Sequence, residues 1–347
     1  MLPRLGDREM APGEVDEKTR ERARRTRRIE ALALGLLAML PVVPFLTFVL
    51  RQGVGRFELF GDWAGIEHAT RHVWSGDTLV GPTSRFDYAH PGPMFFYVAA
   101  PLQTLFGATS TGIHVAACLV NAAAAAAAGS SARLFARRSH AIAALVVVFA
   151  WFMAFGNVTA NPWHPLVVAL PLVAFLVTTA LFARGKAAAL YPAVVFGSFV
   201  FQTWISAAST VVACGLFGVV AFVIGARRRG PLRRDEHWLT RAERWHLALG
   251  AGLLLVFFLP PLVDQMTSSV GNMTRLWRFF VHRQAPLAPL GAATRHWMTA
   301  TSWLPERVAT RALAADGVVP IVARPDILPD DVTGAAKAIA IAHVTGF

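Results

Sequence analysis

The chain has 347 residues, 55% of them hydrophobic and 16% charged, with a mean hydropathy of +0.47. Soluble domains carry about 25% charged residues, so this composition excludes an ordinary soluble domain and points to a multi-pass helical membrane protein. The net charge is +12, but the arginines gather between apolar runs, as membrane topology requires and nucleic-acid binding does not; the two cysteines, Cys118 and Cys214, lie in apolar runs and imply neither a disulfide framework nor a metal cluster.

Residues 1–30 are polar and end in a run of arginines from Arg20 to Arg28. They predict a flexible, basic cytoplasmic tail. Residues 31–50 are too long for the apolar core of a signal peptide and are followed by Arg51, which predicts an uncleaved first span. Residues 51–91 then form a first external loop. Helical spacing within it places Trp63, Ile66, Thr70 and Val73 on one face. This predicts an amphipathic interfacial helix over residues 62–75, stopped at Gly76.

Residues 92–106 are apolar but contain Pro101 and fall short of the roughly 20 residues a span needs. An in-plane interfacial helix here keeps Arg133, Arg137 and Arg138 on the cytoplasmic side, after a span at 111–130. Further spans are expected at 141–158, at 166–183, twice within 187–225 with a break near 202–209, and at 247–263. The alanine run 122–128 predicts close helix packing. The expected fold is therefore all-α and polytopic, with about seven transmembrane helices plus interfacial helices in the first loop. Its expected parts are the tail 1–30, a transmembrane domain 31–263, and an extracytoplasmic segment 264–347 that is itself compatible with the cut end of a longer protein. The expected location is the cell membrane, with the N-terminus in the cytoplasm.

The polar insert at residues 61–93 carries the candidate chemistry, because ionisable side chains at a membrane face are costly to keep. Asp62 stands at the start of the interfacial helix, either as an N-cap or as a general base. Glu67 follows on the same helix. Arg85 has the planar fork that binds phosphate. His90 precedes Pro91 where the chain dips back toward the membrane. Asn161 and His164 lie in a second external turn, NPWHP, and can line the same cavity.

These features together resemble the GT-C glycosyltransferases, in particular the family-39-like branch of protein mannosyltransferases and aminoarabinose transferases. The resemblance rests on the basic tail and first span, the opening GDWAGIE of the loop with Asp62, the turn at His90–Pro91 into a short apolar helix ending in LFG, and the NPWHP turn. It covers about residues 30–265. It implies a polyprenyl-phosphate sugar donor, inversion at the anomeric carbon, and Asp62 as catalytic base. Glu67, Arg85, His90, Asn161 and His164 become candidate substrate-binding residues. No cofactor is expected, and the need for a divalent metal is left open. Membrane lipid is an expected partner and nucleic acid is not. Family members often carry two adjacent acids where this chain has Asp62 and Trp63, and they usually have more spans. Two rival readings are a transporter of a lipid-linked substrate and a non-catalytic membrane scaffold. Predicted spans nearly free of charge argue against coupled transport.

Overall fold

The computed structural model describes residues 12–52, 61–84, 86–135, 137–155, 159–230 and 238–282, and every regular element among them is a helix. Nearly all of these residues belong to the first of two compact units, Met1–Phe152 with Gly156–Phe279; the second is Met153–Phe155 with Phe280–Phe347. Among the described residues, five helical stretches are long and apolar enough to cross a membrane: Thr19–Arg51, Ser110–Phe135, His164–Ala183, Ile205–Arg228 and Arg241–Thr267. The chain is a helical membrane protein. Three apolar helices are shorter: Met94–Leu105, Arg138–Phe152 and Ala187–Thr203.

The first stretch is built from α1 (Pro12–Met39) and α2 (Val43–Gln52), joined by a 3-10 turn at Leu40–Val42. Pro41 falls in the first turn of that join, where the missing N–H costs least. Within the segment expected as a flexible tail, the backbone from Pro12 onward is helical and continuous with the first apolar segment. Its Glu, Arg and Ala residues are strong helix formers. The helix is also docked at its middle, where Glu30 pairs with Arg133 at 2.5 Å and the Arg27 Nε–H donates to the Arg133 carbonyl at 3.3 Å.

Next come α3 (Asp62–Arg71), α4 (Met94–Leu105) and α5 (Ser110–Phe135). The alanine run lies on α5, with Ala124, Ala125 and Ala128 fully buried beside Ala38 and Val42 of the first stretch. Small side chains let these backbones approach, as helix association within lipid favours. A second cluster joins Ile66 of α3 to Phe95, Phe96 and Ala99 of α4, and to Ile113, Ala116 and Ala117 of α5. Phe95 and Phe96 are thus core side chains.

The remaining helices are α6 (Arg138–Phe155), α7 (His164–Val167), α8 (Ala169–Ala183), α9 (Leu190–Thr203), α10 (Ala208–Arg228), α11 (Arg241–Thr267) and α12 (Asn272–Val281). The break expected near residues 202–209 falls at Trp204, whose backbone is extended between α9 and the 3-10 turn Ile205–Ala207. The segment expected at 247–263 begins earlier, at Arg241. A capping box fixes that start: the Thr240 hydroxyl accepts the Glu243 N–H, and Glu243 Oε2 accepts the Thr240 N–H. Residues 264–267 complete α11 and residues 272–281 form α12, so the described start of the segment expected as a tail carries structure of its own.

Candidate functional site

The site begins with a backbone conformation. Gly61 caps α3 with φ +55°, a region open to glycine and strained for other residues, and this sets Asp62 in the first helical turn. The cap position therefore belongs to a residue with no side chain. Asp62 is not the N-cap. Its Oδ2 instead accepts the indole N–H of Trp163 at 3.0 Å, across 101 residues, and Oδ1 has no hydrogen-bond partner among the described residues. The carboxylate is exposed.

A second indole completes this wall. Trp63 Nε1–H donates to Asn161 Oδ1 at 3.0 Å, and the same oxygen accepts the backbone N–H of Trp163 at 2.9 Å. The two indole rings lie 5.4 Å apart, tilted by 32°. One asparagine oxygen thus pins the second turn to α3 and aims the Trp163 indole at Asp62. That turn is also anchored from α5. The Asn121 side-chain N–H donates to the Thr159 carbonyl at 2.9 Å, and His114 Nδ1 lies 2.7 Å from the Ala160 carbonyl.

The second wall is more deeply buried. His90, His164 and Trp204 form a triangle of rings with centroids 4.7 to 5.0 Å apart. His90 is 3% exposed, and its Nδ1 accepts the backbone N–H of Ile205 at 3.0 Å. The neutral ring therefore carries its proton on Nε2. Burial pushes the His90 imidazolium down to about 3; His164 adds to the depression and Asp62 opposes it. At neutral pH the ring is uncharged, so it supplies no positive charge to a phosphate. His164 Nδ1 is buried with no hydrogen-bond partner among the described residues.

The segment around His90 is a clamp between distant parts of the chain. The Gly92 N–H donates to the Gln202 carbonyl at 3.2 Å, tying the loop to the end of α9. A Cβ on Gly92 would lie 2.3 Å from Gln202 Oε1, so any side chain there would force Gln202 to shift. From the other side, the side-chain amide of Asn272 is buried against the loop. Its Oδ1 accepts the Ala89 N–H at 2.8 Å, while Nδ2 donates to the Ala89 carbonyl at 2.9 Å and the His90 carbonyl at 3.3 Å. Asp264 in turn accepts the Asn272 backbone N–H at 2.7 Å and the Ser268 hydroxyl at 2.9 Å. Asp264 is thereby spent on the junction between α11 and α12.

Four of the six residues singled out from the sequence, Asp62, His90, Asn161 and His164, come together here. Glu67 lies further along α3 and is ion-paired with Arg71. Arg85 lies outside the described residues. Two contributors were only weakly visible in the sequence: Trp163, inside the NPWHP turn, and Trp204, at the break in an apolar run. Asn272 was missed. Its only local signal is a polar residue after Gly271 at a helix start, and its partners lie 182 and 183 residues away. Among the described residues no three His, Cys, Asp or Glu side chains gather as metal ligands.

The chain matches no protein-family model, no curated protein and no solved structure.

Proposed function

We propose that the protein is a GT-C-type membrane glycosyltransferase that moves a sugar from a polyprenyl-phosphate donor to an acceptor hydroxyl outside the cytoplasm. The observation that carries this reading is the Asp62 carboxylate. It is exposed at a helix start, held through one oxygen by the Trp163 indole, and flanked by a second indole. In this reading Asp62 removes the acceptor proton as the acceptor oxygen bonds to the anomeric carbon. The bond from that carbon to the phosphate oxygen breaks, and its electron pair leaves with the phosphate. A lipid phosphate is already a good leaving group, so a base and a shaped surface are the main requirements. The Trp63 and Trp163 rings offer apolar faces against which a sugar ring can lie.

The reading includes seven spans, adding α6 and α9 to the five long stretches, with α3 and α4 in the membrane interface. The concentration of Lys and Arg in the segments 1–30, 133–138, 184–186 and 227–244 supports an N-terminus in the cytoplasm and a first loop outside. The membrane is then the cell membrane.

Asp62→Asn tests the chemistry. Asparagine keeps an oxygen for the Trp163 N–H, so the fold is expected to persist. Transfer of labelled sugar from a polyprenyl-phosphate donor should fall by about 10²–10⁴-fold. Full activity of a folded Asp62→Asn protein would overturn the proposal.

A further inference from the structure

We infer that the cavity between the first loop and α12 seats the phosphodiester of an anionic bilayer lipid. The cavity measures about 290 Å³ and is lined by Phe86, Asp87, Val270, Arg275, Arg278 and Phe279. It does not include the Asp62 wall, and the inference stands apart from the glycosyltransferase reading.

The level of the site relative to the membrane follows from the chain path. The apolar stretch Arg241–Thr267 ends only a few residues before α12 begins at Asn272. At 100° per residue, α12 divides into three strips. Asn272 and Leu276 are buried against the protein. Met273, Trp277 and Phe280 share one flank, with Trp277 68% exposed. Arg275 and Arg278 share the opposite flank. A helix with one apolar and one cationic flank, starting where a span ends, lies in the headgroup plane, with its aromatic side toward the acyl layer and its arginines toward phosphate.

The cationic flank is the wall of the cavity. Arg275 is already oriented: its Nε–H donates to the Val270 carbonyl at 3.2 Å, and Nη1 lies 3.3 Å from Asp87 Oδ1. Arg278, three residues on, is exposed and has no hydrogen-bond or ion-pair partner among the described residues. Guanidinium forks bind phosphate oxygens bidentately. Two guanidiniums against one carboxylate leave one net positive charge, which matches a singly charged phosphodiester. Phe86 and Phe279, with ring centroids 5.1 Å apart, supply an apolar side for the carbon next to the phosphate.

Native mass spectrometry of the full chain, released from nanodiscs containing phosphatidylglycerol and phosphatidylcholine in equal amounts, tests this. Phosphatidylglycerol should be retained about tenfold in preference, as expected for one charge-assisted bidentate pair. Arg278→Gln should bring that preference to within about twofold, with an unchanged melting temperature because Arg278 holds no other group. Arg278→Lys should keep about half of it, and Arg71→Gln, on the α3 helix, should leave it intact. A preserved preference in both Arg278→Gln and the Arg275→Gln/Arg278→Gln double variant would overturn the site. An equal loss in Arg71→Gln would reduce it to bulk attraction. Displacement of phosphatidylglycerol by a polyprenyl phosphate, with no displacement in the reverse direction, would overturn the assignment to a bilayer lipid.

Discussion

The two walls of the candidate site use similar residue types to opposite ends. On one wall Asp62 is exposed beside the half-buried Trp163, and the carboxylate keeps one oxygen open. On the other, His90, His164 and Trp204 are packed ring against ring, and His90 is held neutral by burial. Both walls are pinned by side chains bonded to backbone: Asn161 holds the exposed wall, and Asn272 with Ile205 holds the buried one. An exposed carboxylate with an open oxygen is available for chemistry. A buried imidazole becomes a neutral strut whose energy goes into shape.

The sharpest way to break this contrast is to compare Asp62→Asn with Asn272→Ala. Asp62→Asn should cost about 3–5 kcal/mol in transition-state stabilisation, the equivalent of 10²–10⁴ in rate, while leaving thermal stability near that of the parent. Asn272→Ala should do the reverse. It removes three hydrogen bonds to Ala89 and His90 and leaves buried backbone groups unpaired, at a cost of about 3 kcal/mol in stability. A lowered melting temperature for Asn272→Ala with an unchanged one for Asp62→Asn is the expected pattern. Equal destabilisation of both would erase the division of labour between the walls.

The pH dependence of stability sharpens the comparison further. The folded His90 titrates near 3, below the 6.5 of the unfolded chain, so the unfolded state binds more protons between those values. The stability His90 contributes is therefore fully present above pH 6.5 and is lost as pH falls toward 3. The slope from this residue is at most about 1.4 kcal/mol per pH unit. His90→Asn keeps an acceptor near the Ile205 N–H and removes the titration. Melting curves between pH 7 and pH 4.5 should decline less for His90→Asn than for the parent; parallel curves would show that burial of His90 is not what acid disrupts.

The smallest expected effect is on the exposed wall. Trp163→Phe keeps an aromatic ring but removes the N–H that holds Asp62 Oδ2. A hydrogen bond to a charged group is worth about 1.5–3 kcal/mol where it is buried and less where water competes. The expected loss of transfer is about three- to tenfold, read as a fall in kcat with little change in KM. A loss as large as that of Asp62→Asn would make the indole a direct participant.

Composition and period alone determined a good deal. Runs of apolar residues marked the membrane helices, because removing backbone and side chains from water requires long hydrogen-bonded apolar segments. Helical spacing put Ile66 and Thr70 on the buried face of α3, and Gly76, at φ +83°, ends the 3-10 turn His72–Ser75 that continues that segment. Asp62, His90, Asn161 and His164 were legible as ionisable or polar residues stranded between apolar runs. What only the tertiary structure decided is how they are used. Whether Asp62 caps its helix depends on the backbone angle of Gly61 and on an indole 101 residues away. Whether His90 is a cation depends on how deeply His164, Trp204 and Ile205 enclose it. Asn272 gains its role from backbone groups in a loop 182 and 183 residues earlier. Period and composition report local preference and burial in bulk, whereas desolvation and hydrogen-bond partnership depend on distant segments meeting at particular atoms.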